Sequence, residues 1–176
     1  MLRLRPFKSK DSEIIASWLK DEDIFWKWGG ERFGDFPISA RDIEEKYLEH
    51  NGDCTEYDNF YPLIAYGNDG VVGHFIIRYI NGDPGVLRFG WVIVDDRKRG
   101  KGYGKRMLEL GLEYAFKILK AKKVTIGVFE NNESAYKCYK SLGFKEAPEQ
   151  EPVIRDIKGE QWKVIELEYV PEITIR

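Results

Sequence analysis

Two cysteines in 176 residues, Cys54 and Cys138, are too few for a disulfide framework and lack the short spacing of a metal cluster. Both read as free thiols, Cys138 inside a packed helix, and no metal is expected. Charge of one sign is scarce as well. With 28 basic and 30 acidic residues the formal net charge is -2, whereas general nucleic-acid and membrane-surface binders carry a basic excess over a whole face. Long apolar runs are missing: the opening MLRLRPFKSKDSEII holds no stretch long enough for a secretory signal, and no later run approaches a membrane span. A cytoplasmic protein with neither nucleic acid nor membrane as partner is expected. Repeats and low-complexity segments are absent too, so residues 1–176 read as one domain. A hydrophobic content of 43% with 14% aromatics supplies enough apolar material for a two-layer core.

What is present alternates in period. LRLRP reads as a short opening strand, and Asp11 or Ser12 caps a helix running to Lys20, with Ile14, Ile15, Trp18 and Leu19 on its apolar face. A second helix starts at Ser39, where Asp42 three residues on is an acidic relative of the capping box, and ends near Glu49. The aromatic, glycine-rich IFWKWGGERFGDFP between them reads as a loop. FYPLIAY and VVGHFIIRYI, joined by GNDG, form a hairpin; after the turn NGDPG a third strand, VLRFGWVIV, completes an antiparallel meander.

From Gly102 the pattern changes to three- and four-residue steps. Gly104, Met107, Leu108, Gly111, Leu112, Ala115 and Leu119 mark one helical face, whose glycines permit close approach to a sheet. KKVTIGVF follows, and a helical connection makes it parallel to VLRFGWVIV through a right-handed crossover. Asn132 opens another helix, with Ala135, Cys138, Tyr139 and Leu142 on the buried stripe and Gly143 at its end. EPVIRDIKGEQWKVIELEYV gives two final strands around KGE. The fold class is mixed α/β (α+β): a central, mostly antiparallel sheet with one parallel crossover pair, flanked by about four helices.

Between the third meander strand and the long helix lies DDRKRGKGYGKR, Asp95 to Arg106, with three glycines and six basic residues. A strand-to-helix junction gathers unpaired backbone N–H groups and the positive end of the helix dipole, so it attracts anions. Glycine lets the main chain adopt unusual dihedrals and approach phosphate oxygens. A P-loop is excluded, since the glycine interval is wrong and Arg106 stands where a magnesium-binding hydroxyl belongs. A dinucleotide fold is disfavoured, because the spacing is G-x-G-x-G and the preceding strands read as antiparallel. A plain surface turn with solvated lysines stays open on this window alone. A nucleic-acid patch predicts steeply salt-dependent duplex binding, and the acidic net charge argues against it.

RGKGYG (Arg99 to Gly104) together with NESAYKCYKSLGF (Asn132 to Phe144) resembles the GNAT superfamily of acyl-CoA-dependent N-acetyltransferases. The first matches that family's R/Q-x-x-G-x-G/A cofactor loop; the second matches its Asn-containing helix entry, helical tyrosine and closing LGF. The resemblance is specific over about Val86 to Phe144 and extends loosely over the chain, and GEQWKVIELEY resembles the branch holding the ribosomal-protein N-terminal acetyltransferases. It implies a GNAT-like acyl-CoA N-acyltransferase fold and transfer of an acetyl group from acetyl-CoA to a primary amine, a protein N-terminus or a small amine, by direct attack in a ternary complex. The implied cofactor contacts are Val92, Val94, Arg99, Gly100, Lys101, Gly102, Tyr103, Gly104, Lys105 and Asn132, and the implied general acid is Tyr139.

Read from spacing, Tyr139 is a core residue of the apolar stripe and Asn132 an N-cap; the resemblance adds acid and cofactor roles. A general base is not identified, because VLRFGWVIV carries Arg88 and no acid. Glu130, His74 or a water are the candidates. Phe25, Trp26, Trp28, Phe33 and Phe36 form an aromatic cluster that either cradles the acceptor, with Trp26, Trp28 and Phe33 in contact, or plugs the core. A monomer or homodimer is expected. The competing function is an acyl-CoA-binding sensor without turnover.

Overall fold

The computed structural model describes residues 1–148 and 151–172. Eight strands make one mixed sheet: β1 (Arg3–Pro6), β2 (Tyr61–Gly67), β3 (Gly70–Ile80), β4 (Asp83–Val94), β5 (Lys123–Phe129), β6 (Lys145–Glu146), β7 (Val153–Ile157) and β8 (Glu160–Tyr169). Their order is β1-β2-β3-β4-β5-β8-β6, with β7 also hydrogen-bonded to β8. β4 and β5 run parallel, as the helical connection between them requires, and the remaining pairs are antiparallel.

Helices α1 (Asp11–Trp18), α2 (Glu22–Trp28) and α3 (Ala40–Glu44, widening into a π turn over Glu45–Glu49) cover one face. Helices α4 (Tyr103–Glu113, with a π turn over Tyr114–Ile118) and α5 (Glu133–Ser141) cover the other. Alternation along the strands divides the core between them. On β3, Phe75 and Ile77 join the cluster under α4, while Ile76 joins the cluster under α1 to α3. Gly111 allows α4 to lie close, since a Cβ there would stand 2.8 Å from the Phe75 ring.

Two features of β4 shape the ground on which a site can form. His74 pairs with Ile93 and Ile76 with Gly90, so β4 has an extra residue where β3 has none. This bulge flips the side-chain phase: Leu87 and Phe89 face α4, and beyond it Val92 and Val94 do, while Trp91 and Ile93 turn to the aromatic side. Trp91 sits at φ 45°, a conformation bulky residues avoid. Beyond the bulge, β4 and β5 part. Their ladder runs from Val86 opposite Lys123 to Phe89 opposite Ile126, although β4 continues to Val94 and β5 to Phe129. The sheet is therefore open between Val92–Val94 and the end of β5.

Three expectations need correction. The segment read as a loop contains α2 and a 3-10 turn at Gly30–Arg32, so that among the described residues five helices flank the sheet, in line with the expected number of about four. Asp21 caps α2 by accepting from Ile24 N at 2.9 Å, and Gly29 ends it in the left-handed region, so its glycine is a terminator. Asp11 lies within α1 and not at its cap, held by both Arg5 guanidinium nitrogens at 2.7 and 2.8 Å. The turn before β4 is the two-residue Asn81-Gly82, both at positive φ, which places Asp83 and Pro84 in the strand. The short β6 has too few residues to leave a periodic signal.

Candidate active site

The loop from β4 to α4 starts with its acids and bases already engaged. Asp95 accepts from Arg97 N and holds the Arg97 guanidinium at 3.0 and 2.9 Å, which keeps its carboxyl below the usual range. Lys98 donates to the Asp69 and Val71 carbonyls, and Arg106 pairs with Glu109 at 3.2 Å. Three of the six basic residues in this window are thus structural. Arg99, Lys101 and Lys105 make no ion pair among the described residues, and Arg99 Nε ties the loop to the Val94 carbonyl at 3.2 Å. Gly100 and Gly102 stand at φ 72° and 77°, so they are needed for backbone conformation. Arg106 N is bonded to Gly102 O, which leaves the amides of Tyr103, Gly104 and Lys105 without acceptors in the first turn of α4.

Those amides border a cavity of about 440 Å³ between the loop, the end of β4 and α5. Val92, Val94, Arg99, Gly100, Gly102, Tyr103, Gly104 and Lys105 line it from the strand and loop, and Asn132 and Tyr139 from α5. Lys101 is exposed and does not line it. Asn132 is the N-cap of α5, accepting from Ala135 N at 3.4 Å. Tyr139 is buried, its hydroxyl makes no hydrogen bond among the described residues, and burial pushes it above the ordinary phenol value. It therefore holds its proton at neutral pH. Tyr136 is turned away, its hydroxyl donating to Glu146 at 2.5 Å.

A second cavity, about 140 Å³, opens on the other side of the bulge. Lys27 and Trp28 line both cavities, so the two meet at the end of α2. The wall between them is an interlocked aromatic group. Trp28 Nε1 donates to the Trp91 carbonyl at 3.0 Å and Trp91 Nε1 to the Gly29 carbonyl at 3.3 Å, which holds Trp91 in its strained conformation. Phe33 stacks on Trp28 at 5.1 Å, and Tyr47 stacks on Trp91 at 5.4 Å. Tyr47 bonds His74 Nε2 at 2.7 Å, and His74 Nδ1 lies 2.9 Å from the Leu63 carbonyl. Burial lowers His74 to about 4, so the ring is neutral, with Nδ1–H donating and Nε2 accepting.

The aromatic candidates separate accordingly. Trp28 lines both cavities, Phe33 backs it, and Trp26 lines neither, packing on Phe25 at 4.7 Å. Of the candidate bases, His74 is sealed in its pair with Tyr47 and Glu130 is exposed outside both cavities. Sequence reasoning missed Glu31. Its Oε2 is buried without a hydrogen-bond partner on the wall of the smaller cavity. It lay inside the segment read as a loop. Arg78 was missed too, although a signal existed: a cation in phase with His74 and Ile76 on a central strand.

Among the described residues no cluster of three or more His, Cys, Asp or Glu is placed to hold a metal, and no helix is long and apolar enough to cross a membrane. Residues 1–145 match the model of the acetyltransferase (GNAT) domain. A spermine/spermidine N(1)-acetyltransferase of Bacillus subtilis is 35% identical over 105 residues, 60% of this chain and 64% of that protein, so the match spans under two thirds of the relative. A spermidine N(1)-acetyltransferase of Vibrio cholerae is 26% identical over 82% of this chain and 79% of its own length. The fold matches a Vibrio cholerae spermidine N-acetyltransferase solved with CoA and spermine, with a TM-score of 0.77 at 22% identity over 96% of this chain and 95% of that one. These relatives replace the ribosomal-protein branch suggested by GEQWKVIELEY. That segment lies beyond residue 145, and its alternation is what the β8 hairpin requires.

Proposed function

The chain belongs to the acetyltransferase (GNAT) domain family, and from that premise we propose that it transfers an acetyl group from acetyl-CoA to a primary amine by direct attack in a ternary complex. The carrying observation is the pair of cavities meeting at Trp28 across the β4 bulge. One provides an anion-binding helix start and the other an unpartnered carboxylate oxygen.

In this reading the amides of Tyr103, Gly104 and Lys105 hold the coenzyme diphosphate, with Arg99, Lys101 and Lys105 adding long-range attraction. The open edge of β4 at Val92–Val94 receives the pantetheine arm, and a main-chain N–H there stabilises the oxyanion as the thioester carbonyl is attacked. The amine enters from the smaller cavity, forms the C–N bond and gives a proton to Glu31. The C–S bond breaks, and Tyr139 protonates the departing thiolate; both proton transfers use groups of the protein, so the step requires no metal. A binding-only sensor has no need for Glu31 on one cavity and Tyr139 on the other. The relatives' names bring spermidine and spermine forward as acceptors. The single-domain reading and the cytoplasm, where acetyl-CoA is supplied, belong to the same proposal.

The test is calorimetry with acetyl-CoA and free coenzyme A, followed by thiol release with a panel of small amines including both polyamines. Saturable coenzyme binding with amine-dependent thiol release is expected. Folded protein that takes up neither ligand at millimolar concentration overturns the proposal.

A further inference from the structure

Arg78 and Arg88 stand directly opposite each other on β3 and β4, and both line the smaller cavity. Like charges in that register destabilise a sheet. One carboxylate stands against the pair and it serves Arg88 alone: Glu166 on β8 takes the Arg88 guanidinium in a fork at 2.7 and 2.9 Å. The fork packs over Gly127, where a Cβ would lie 2.6 Å from Arg88 Nη2. Arg88 is locked and its charge is answered.

Arg78 is neither. It is half-buried, and among the described residues its guanidinium has no ion pair and no hydrogen bond. Burial and the neighbouring Arg88 both press its pKa downward; Glu56, which acts in the opposite direction, is exposed and engaged with Asn59 at 3.3 Å. Two further cations on this wall, Arg32 and Arg155, have no ion pair among the described residues, and Lys27 is held by Asp23 at 2.9 Å. Glu31 is thus the one carboxylate of this wall not already committed to a described base. A polycation entering here would find a place for a single ammonium and would meet Arg78 with its next one.

We infer that the acceptor is a compact amine that also bears an anionic oxygen group, a carboxylate or a phosphate, which Arg78 grips while Glu31 receives the amine. A planar guanidinium matches such a group with two parallel hydrogen bonds. A cavity of about 140 Å³ suits a small bifunctional molecule. The inference rests on the acetyltransferase reading for the amine and on the charge pattern for the anion.

The test compares thiol release from acetyl-CoA with four amines: 4-aminobutyrate, its uncharged amide, O-phosphoethanolamine and spermidine, using the native chain and Arg78→Ala and Arg78→Lys. At least one of the two anionic amines is expected to exceed the amide in kcat/KM by about tenfold or more, as for a hydrogen bond to a charged group. In Arg78→Ala that ratio should collapse toward unity, with coenzyme affinity unchanged; the lysine variant should restore part of it. The better of the two anionic amines assigns carboxylate or phosphate. Melting temperature is the second readout: removing an unanswered like charge should leave it equal or higher, and a marked fall would make Arg78 structural and overturn the inference. Preference for spermidine or for the amide, unaltered by Arg78→Ala, overturns it while the acetyltransferase stands. If none of the four amines is turned over, calorimetry of butyrate and inorganic phosphate on the coenzyme-bound protein decides: Arg78-dependent binding sustains the anion site and its absence overturns it, while the acetyltransferase reading is decided separately by coenzyme uptake and the wider amine panel.

Discussion

The two cavities that meet at Trp28 are built by opposite means. The larger is made mostly of continuous main chain, from Val92 through the loop into the first turn of α4, with α5 supplying Asn132 and Tyr139. The smaller draws on residues from many separate segments, among them α2, the 3-10 turn after it, β3, β4, β5, β7 and β8. A site built from amides depends on backbone geometry and tolerates many side-chain changes. One built from guanidinium and carboxylate groups changes its preference with each substitution. The coenzyme side can stay constant while the acceptor side diverges.

That contrast can be broken experimentally. Tyr139→Phe should lower kcat by roughly 100- to 10,000-fold, the range for a lost general acid, with coenzyme affinity unchanged in calorimetry; an equal loss of affinity would make the larger cavity as dependent on side chains as the smaller. The aromatic wall of the acceptor side rests on the Tyr47–His74 pair and should carry an acid sensitivity. The unfolded imidazole takes its proton near 6.5 and the folded one only at about 4, so stability is full above about 6.5 and falls as pH drops toward 4. The loss is on the order of 3 kcal/mol. Chemical denaturation at pH 7 and pH 4.5 measures it, and His74→Gln should flatten the difference.

A smaller effect is expected at Glu31. Glu31→Gln should reduce kcat/KM for the amine by about 10- to 100-fold, as for a hydrogen bond to a charged group, and leave coenzyme binding untouched. The smallest belongs to the backbone itself. Gly102→Ala keeps every side chain but places a Cβ in the left-handed region, a strain of about 1–2 kcal/mol. Coenzyme affinity should fall by roughly tenfold with the KM for amine unaltered; if amine KM moves instead, the division between the two sides fails.

The same contrast decides what could be read from the sequence. The coenzyme side was legible because its elements are contiguous: a strand, a glycine-spaced loop and a helix face occur in order from Val86 to Leu119. The bulge was not legible, since VLRFGWVIV alternates well enough to read as a regular strand, and only pairing with β3 shows the extra residue. Glu31 was hidden because Gly29 and Gly30 suggested a loop where they end a capped helix. Arg88 drew notice for not being an acid, yet its meaning depends on Arg78 ten residues earlier and Glu166 far downstream. No local pattern joins those three.

Because the Arg88–Glu166 fork bridges 78 positions of chain, the order of synthesis matters. β4 emerges from the ribosome long before β8, and until residue 166 arrives two guanidinium groups face each other with no counter-charge while β5 offers a bare edge. A truncated product that stops short of residue 160 therefore carries the full coenzyme loop without a finished acceptor wall, and its exposed strand is a ready template for joining a second nascent chain.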